Sequence, residues 1–288
     1  MNMEAMQRLN KCLEYIEDHL DKEVYIDELA RLSFYSKYHF QRMFHLLTGF
    51  TLADYVRNRR LTVAAQDLAH SDKKIIDVAL KYGYETPESF SKAFRKLHGF
   101  PPSQVRGQGR DLKAFPRISF QIQIKGVTEM NYRIVDREEF TVLGKGKRVS
   151  LKDGTNLKVI PLFWEEVNQN GTSEEICNIT GTPDVLGVCM EFNQKQDEMT
   201  YFIGGINVKK GIKDGLEEKT VPKATWAVFE AHGAMPDAIQ NVWQRIYGEW
   251  FPSTGYEHAG GPEFELYPPG NPYTDDYRSE VWIPIKRK

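Results

Sequence analysis

Ala30-Arg-Leu-Ser-Phe-Tyr-Ser-Lys-Tyr-His-Phe-Gln-Arg-Met-Phe44 returns about 50 residues later as Ala79-Leu-Lys-Tyr-Gly-Tyr-Glu-Thr-Pro-Glu-Ser-Phe-Ser-Lys-Ala-Phe94, with one extra residue in its turn. Gly49-Phe50 likewise returns as Gly99-Phe100. Each copy reads as helix, short turn, helix. Ala30 and Ala79 supply the small residue where two helices cross, and Gly83 permits the tight turn. At ~100° per residue, Phe40, Phe44 and Leu47 fall on one stripe of the second helix, and Phe90, Phe94 and Leu97 do the same in the second copy. The opposite faces carry Tyr38, Gln41, Arg42 and His45, then Glu88, Ser91, Lys92 and Arg95. All of these except Glu88 can donate to base edges or phosphates. A recognition helix needs this division, with its apolar side gripping a neighbouring helix and its polar side in the major groove.

The flanking sequence extends the helical pattern. Residues 6–20 carry Leu9, Leu13, Ile16 and Leu20 at spacings of 4, 3 and 4. Helices are expected at 26–32, 36–47, 52–69, 75–81 and 87–97. Thr86 is placed to cap the last, with Pro87 at its first position, and Gly49 and Gly99 to close the helices before them. A helix over 52–69 is about 27 Å long, enough to hold two recognition helices about one DNA turn (~34 Å) apart once the packed helices at each end are added. Charge agrees. The chain's net charge of -2 hides a basic block: residues 31–110 hold 14 Lys/Arg against 6 Asp/Glu, a net of +8, while 1–30 and 111–288 each carry a net of -5. Such a block points to a polyanionic partner or to a solvated charged surface.

Three stretches together resemble the AraC/XylS transcriptional regulators. They are Ser36-Lys-Tyr-His-Phe-Gln-Arg-Met-Phe, Ile76-Asp-Val-Ala-Leu-Lys-Tyr-Gly-Tyr, and Phe90-Ser-Lys-Ala-Phe-Arg-Lys-Leu-His-Gly-Phe-Pro-Pro-Ser-Gln-Val-Arg, with the long helix between. The resemblance covers roughly residues 5–107. It implies base and phosphate contacts at Tyr38, Gln41 and Arg42, then at Glu88, Ser91, Lys92 and Arg95, and activation through contact with RNA polymerase. Tyr38 stands where many relatives have Trp, and Pro87-Glu88 where many have two polar amides.

Beyond residue 107 the pattern changes. Gly107, Gly109 and Pro116 lie among polar and basic residues, as in a hinge. Ile118-Ser-Phe-Gln-Ile-Gln-Ile-Lys125 alternates as a half-buried strand does. Further strands are expected at 132–135, 140–147, 184–192, 199–206, 225–230, 263–267 and 279–285, with helices at 159–169 and 237–250. This is an α+β domain with a largely antiparallel sheet. All five tryptophans lie in this part.

Catalytic motifs are absent along the whole sequence. The seven histidines form no HxH or HExxH pair, no GxSxG occurs, and Cys12, Cys177 and Cys189 are scattered. Gly144-Lys-Gly146 has no phosphate-loop context and is expected to be a hairpin turn. No metal, cofactor or catalytic residue is expected. What stands out is carboxylates beside aromatics. Glu263, Glu265 and Tyr267 alternate onto one face of their strand, Glu280 and Trp282 share a face of theirs, and Trp226, Trp243 and Trp250 are expected in the same region. A carboxylate walled by aromatics fits an organic cation. The same pattern also suits core strands whose acidic residues face water.

A second resemblance bears on that choice. Tyr132-Arg-Ile-Val, Phe140-Thr-Val-Leu-Gly144, Val221-Pro-Lys-Ala-Thr-Trp-Ala-Val-Phe-Glu230, Trp243 with Tyr247 and Trp250-Phe-Pro, Phe264-Glu-Leu-Tyr and Glu280-Val-Trp-Ile-Pro are similar, in order and spacing, to the GyrI-like small-molecule-binding domain. The resemblance implies an SHS2-type pair of β-α-β-β repeats around a central cleft, with the cleft glutamate at Glu265 or, as neighbouring candidate, Glu263. As a whole the chain resembles Rob-type regulators. The expected organisation is therefore an all-α double helix-turn-helix DNA-binding domain over 1–107, a linker and connecting strand over 108–128, and an α+β GyrI-like domain over 129–288. The expected partners are double-stranded DNA, a small-molecule effector and RNA polymerase, with no membrane. Residues 1–8 lack a signal-peptide core, so a cytoplasmic location is expected. Two other functions stay open: hydrolysis by carboxylates such as Glu263, Glu265 or Glu280, and a C-terminal domain that binds a protein partner instead of a small molecule.

Overall fold

A computed structural model describes residues 3–106, 112–120, 129–193, 195–209 and 213–288. The chain forms two units, Met1–Gln123 and Ile124–Lys288.

The first unit is helical: α1 (Met3–Asp18), α2 (Ile26–Ser33), α3 (Lys37–Thr48), α4 (Leu52–His70), α5 (Ile75–Lys81) and α6 (Pro87–His98). The ends are where the sequence sets them. Ser36, Thr51 and Thr86 each accept the backbone N–H three residues on, from His39, Asp54 and Ser89, satisfying donors that the first helical turn leaves free. Gly49 (φ 75°) and Gly99 (φ 89°) close α3 and α6 in the left-handed conformation. The two helix-turn-helix motifs have separate cores. Leu13, Ile16, Leu29, Phe40, Phe44 and Tyr55 are buried in the first, and Leu61, Leu68, Val78, Ala79, Phe90 and Phe94 form the second. With 19 residues and a length of about 28 Å, α4 serves both, its N-terminal half through Tyr55 and Val56 and its C-terminal half through Leu61, Ala64, Ala65 and Leu68.

The strand expected over 118–125 is not formed in its described part, and residues 121–125 lie outside the described residues. Instead, residues 115–120 cross α1 and α4. Phe115 N–H donates to Thr62 Oγ1 (3.0 Å), Ile118 N–H to the Tyr55 hydroxyl (3.3 Å), and Phe120 exchanges two 3.1 Å hydrogen bonds with the Asn10 amide. Side chains of the helices thus supply the partners that a neighbouring strand would have given. The Phe115 ring packs edge-on against Phe50 and Tyr55.

Beneath that segment Arg59 donates to Glu17 (2.7 Å), which also accepts from the Tyr55 hydroxyl (2.8 Å) and ties α1 to α4. Burial works to raise the Glu17 carboxyl, but the hydrogen bonds from Arg59 and Tyr55 prevail and hold it below its ordinary value. A carboxyl depressed on folding stabilises the fold above its unfolded pKa, and that contribution is lost as pH falls through the lower folded value. The melting midpoint of Glu17→Gln should therefore lie below that of the parent chain at pH 7, with the gap narrowing once pH drops below the usual carboxylate range of about 4. A gap that stays constant down to acid pH would show that the charge of Glu17 is not what stabilises the contact.

The second unit contains β1 (Tyr132–Arg137), β2 (Phe140–Ser150), α7 (Thr155–Gln169), α8 (Thr172–Thr180), β3 (Val185–Asn193), β4 (Glu198–Ile206), β5 (Glu217–Val221), β6 (Ala224–His232), α9 (Asp237–Arg245), β7 (Tyr256–His258), β8 (Glu263–Tyr267) and β9 (Arg278–Arg287). A π turn over Ile246–Trp250 continues α9. The pairing is antiparallel, in the order β1-β6-β9-β8-β3-β4-β2-β5, with β7 on β9. Two β-α-β-β repeats emerge. In each the first strand pairs with the last, β2 with β4 and β6 with β9, and the repeats join along β3 and β8. Each repeat's leading strand is given to the other: β1 pairs with β6, and β5 with β2. Only two residues separate β1 from β2 and β5 from β6, so the ends of the sheet must curl toward each other. The rings of Phe140 and Phe264 are 6.0 Å apart, although β4 and β3 lie between their strands, a span of about 14 Å in a flat sheet.

Gly144-Lys145-Gly146, expected as a hairpin turn, instead lies inside β2. The glycines there mark a close approach of two backbones rather than a reversal of the chain. A Cβ on Gly144 would sit 2.0 Å from the Ile203 carbonyl oxygen of β4.

Candidate functional site

In the helical unit, α6 buries Phe90 and Phe94 and turns Glu88, Lys92 and Arg95 to solvent, with Ser91 half-buried beside them. The alternation of apolar and polar residues at helical spacing fixes this orientation, because the aromatic stripe must reach α4 and α5. Arg57 of α4 and Lys96 line the same open groove as Glu88, Ser91, Lys92 and Arg95, so the face is cationic except at Glu88. Arg57, which is ion-paired with Asp54, was not marked by sequence pattern, since its position in the groove depends on how α4 crosses α6. On α3, Gln41, Arg42 and His45 are half-buried and Tyr38 is buried, with the Arg42 guanidinium donating to the Tyr38 hydroxyl one turn away.

In the second unit the register sorts the candidate residues between the two faces of the sheet. Glu265 pairs with Gly187 on one side and Val281 on the other, and Phe264 pairs with Val188 and Trp282. Glu263, Glu265 and Tyr267 therefore share the face covered by α7 and α9. Trp226, Glu280 and Trp282 lie on the opposite, concave face. There Trp226, Phe264 and Trp282 pack as core, and Glu280 accepts from the Trp282 indole (2.8 Å) and from Arg133 (2.7 Å).

On the helix-covered face the Glu265 carboxylate accepts from the Trp243 indole N–H of α9 (2.6 Å) and from the Tyr267 hydroxyl (2.8 Å). From α7, the Trp164 indole donates to the Tyr201 hydroxyl (2.9 Å), and its ring meets Tyr267 edge-on at 5.2 Å. Gly187 makes this assembly possible: a Cβ there would lie 2.3 Å from the Tyr201 hydroxyl oxygen and 3.1 Å from the Trp164 ring. Burial, followed by the charge of Glu265, pushes the Tyr267 phenol well above its ordinary pKa, so it stays a donor to the carboxylate. Glu263 is engaged elsewhere. Gly260 N–H donates to His258 Nδ1 (2.9 Å), which leaves the proton on Nε2, 3.1 Å from the Glu263 carboxylate. Of the carboxylates expected near the site, Glu265 alone is set among Trp164, Trp243, Tyr201 and Tyr267. Trp164, Tyr201 and Gly187 were not marked by the sequence. The signal available for Gly187 was a glycine within an otherwise apolar strand.

A cationic double helix-turn-helix unit followed by a paired β-α-β-β unit is the build of an AraC-type transcriptional regulator with a C-terminal effector-binding domain. Residues 133–285, more than half of the chain, match the integron-associated effector binding protein family, and the chain belongs to that family. Residues 29–108 match a helix-turn-helix domain. The transcriptional regulator Rob of Salmonella typhimurium is 27% identical over 287 residues, 96% of each chain. The regulatory protein SoxS of the same organism is 38% identical over 104 residues, 36% of this chain and 97% of its own. The uncharacterized HTH-type transcriptional regulator YbfP of Bacillus subtilis is 38% identical over 98 residues; these are 34% of this chain and 33% of YbfP, so only about a third of that relative's length is matched. Among the described residues no helix is long and apolar enough to cross a membrane.

Proposed function

We propose that this regulator is a cytoplasmic activator whose C-terminal unit binds an amphipathic organic cation at Glu265. Its N-terminal unit reads duplex DNA through Gln41, Arg42 and His45 of α3, with Tyr38, expected on the same outward face, buried instead and accepting from Arg42, and through Glu88, Ser91, Lys92 and Arg95 of α6. The observation that carries the effector reading is the Glu265 carboxylate set among aromatic rings, accepting from the Trp243 indole and the Tyr267 hydroxyl. A flat or polyaryl cation gains there both ion pairing and attraction to the ring faces. The chain then acts by binding, without turnover, and its contact on the promoter is RNA polymerase. Regulation requires that the effector favour one of two states that differ in DNA affinity.

The five tryptophans, all in the C-terminal unit, report on binding. Tetraphenylphosphonium should quench their fluorescence saturably, and the isosteric anion tetraphenylborate should not. Glu265→Gln keeps the shape and removes the charge, and should weaken the cation at least about tenfold, the equivalent of ~1.4 kcal/mol. Equal binding of cation and anion, or an unaltered affinity in Glu265→Gln, would overturn the assignment.

A further inference from the structure

We infer that Glu88 is the specificity-determining residue of α6 and selects a cytosine in the major groove. The inference rests on reading the N-terminal unit as DNA-binding and goes beyond it to the identity of a base. Glu88 stands in the first turn of α6, exposed, and is the acidic residue of a groove whose other charged side chains are Arg57, Lys92, Arg95 and Lys96.

A carboxylate in the first turn suits the helix dipole, but Glu88 takes no part in the cap. Thr86 caps α6 and accepts from Ser89 N–H, so the position that could reach back to the cap residue's own N–H is Ser89, not Glu88. Ser89 instead turns its hydroxyl to the Thr86 carbonyl (2.8 Å). Lys92, one turn on, is placed for an ion pair with Glu88, yet among the described residues no hydrogen bond or ion pair engages the Glu88 side chain. The contrast with the first copy is direct. There the equivalent positions are Tyr38 and Arg42, and these two are hydrogen-bonded to each other.

A carboxylate on a DNA-facing surface has a narrow choice. Set against the backbone it meets phosphates of its own sign. Set over base edges it accepts from an exocyclic amine. The N-terminal end of a recognition helix is the part that reaches base edges. Of the two amines exposed in the major groove, adenine N6 lies beside the acceptor N7, which would face the second carboxylate oxygen. Cytosine N4 has no such neighbour on its own ring. Glutamine at the same site reverses the preference, because its amide accepts from adenine N6 and donates to N7.

The test is selection of sites from a randomised duplex pool by the full chain, with and without tetraphenylphosphonium, followed by the same selection with Glu88→Gln. The expected result is a motif with one position fixed as cytosine, which becomes adenine in Glu88→Gln while the other positions stay unchanged. Titration of the parent chain on duplexes differing at that position should show a preference of about tenfold or more for cytosine. A residue that serves only to stabilise the start of α6 would alter melting and leave the motif as it was. An identical motif from both proteins would therefore overturn the inference while leaving DNA recognition standing. Failure of the parent chain to enrich any motif would overturn both.

Discussion

Phe94→Ala should unfold the second helix-turn-helix motif while leaving the effector unit intact. Phe94 is fully buried on α6, with its ring centroid 5.5 Å from that of Phe90, 4.2 Å from that of His98 and 6.3 Å from that of Phe100. Removing a ring from such a site costs about 3–5 kcal/mol, from lost transfer energy and from a cavity that neighbours on α4 and α5 cannot fill. Domain stabilities are only about 5–15 kcal/mol, so a large share is lost. His98 adds to the damage. Burial holds its imidazole below the ordinary pKa, and its Nε2 bonds to the Leu61 carbonyl at 3.3 Å, so loosening the Phe94 site lets water reach a polar group tuned to a dry one. Far-UV circular dichroism should show the helical transition falling by about 15 °C or more, while the transition followed by tryptophan, which reports on the C-terminal unit alone, stays in place. Sequence-selective DNA binding should vanish in Phe94→Ala with tetraphenylphosphonium binding retained. Lys92→Ala, on the exposed face, should weaken DNA binding with no change in melting. If Phe94→Ala moved both transitions together, the aromatic cluster would not belong to a separately stable unit.

What the sequence could reveal of this molecule divides along a physical line. Helices that are amphipathic and carry their own end signals were legible: α5 spans the expected 75–81, and Thr86, Gly49 and Gly99 act where their chemistry places them. Short elements without a pattern were not. In α8 the buried residues are Thr172, Ile176 and Thr180, too polar a stripe to read as a core face, and β5 is Glu217-Glu-Lys-Thr-Val at a sheet edge. The alternation that begins at Ile118 signals one-sided burial, and Ile118 and Phe120 are half-buried with Ser119 exposed; what differs is the partner, since side chains of α1 and α4 take the place of a neighbouring strand along the described part. The grouping of strand residues around Glu265 meets the same limit. Alternation says which residues share a face within one strand. It cannot say which faces of two strands coincide, because that depends on register, and a slip of one residue exchanges the faces. Glu280 and Trp282 do lie on one face of β9, but the pairing of Phe264 with Trp282 puts that face opposite Glu265. The aromatic partners that do surround Glu265 come from α7, β4 and α9. Their convergence is a property of the paired repeats and not of any local segment.

Those repeats rest on a second position at which a single methyl group should have a large effect. Gly144 of β2 faces Gly204 of β4 as a Cα pair. A Cβ on Gly144 would stand 2.0 Å from the Ile203 carbonyl oxygen and 2.5 Å from the Gly204 Cα, and one on Gly204 would stand 2.7 Å from the Leu143 carbonyl oxygen. All of these are backbone atoms except the Phe202 ring that also presses on Gly204, so no side-chain rotation relieves the clash. Gly144→Ala must part β2 from β4 in the middle of their ladder, where the curl of the sheet brings Phe140 over Phe264. Gly146, two residues along, is a built-in control. Its added Cβ would meet side chains alone, the Phe202 ring and the Thr200 methyl at 3.3 Å and the Glu217 carboxylate at 3.8 Å, and these can yield by a few tenths of an ångström. Overpacking costs typically about 1–3 kcal/mol, and a backbone clash belongs at or above the upper end of that range. Gly144→Ala should lower the tryptophan-monitored midpoint by about 6–12 °C, and Gly146→Ala by about 2 °C or less. Because parting the strands also shifts Tyr201 on β4, next to Gly187 and Trp164, Gly144→Ala should weaken tetraphenylphosphonium binding even at temperatures where the unit is folded. Equal midpoints for the two alanine variants would mean that β2 and β4 can separate at Gly144 without cost, and that the facing glycines do not set the curvature on which the site depends.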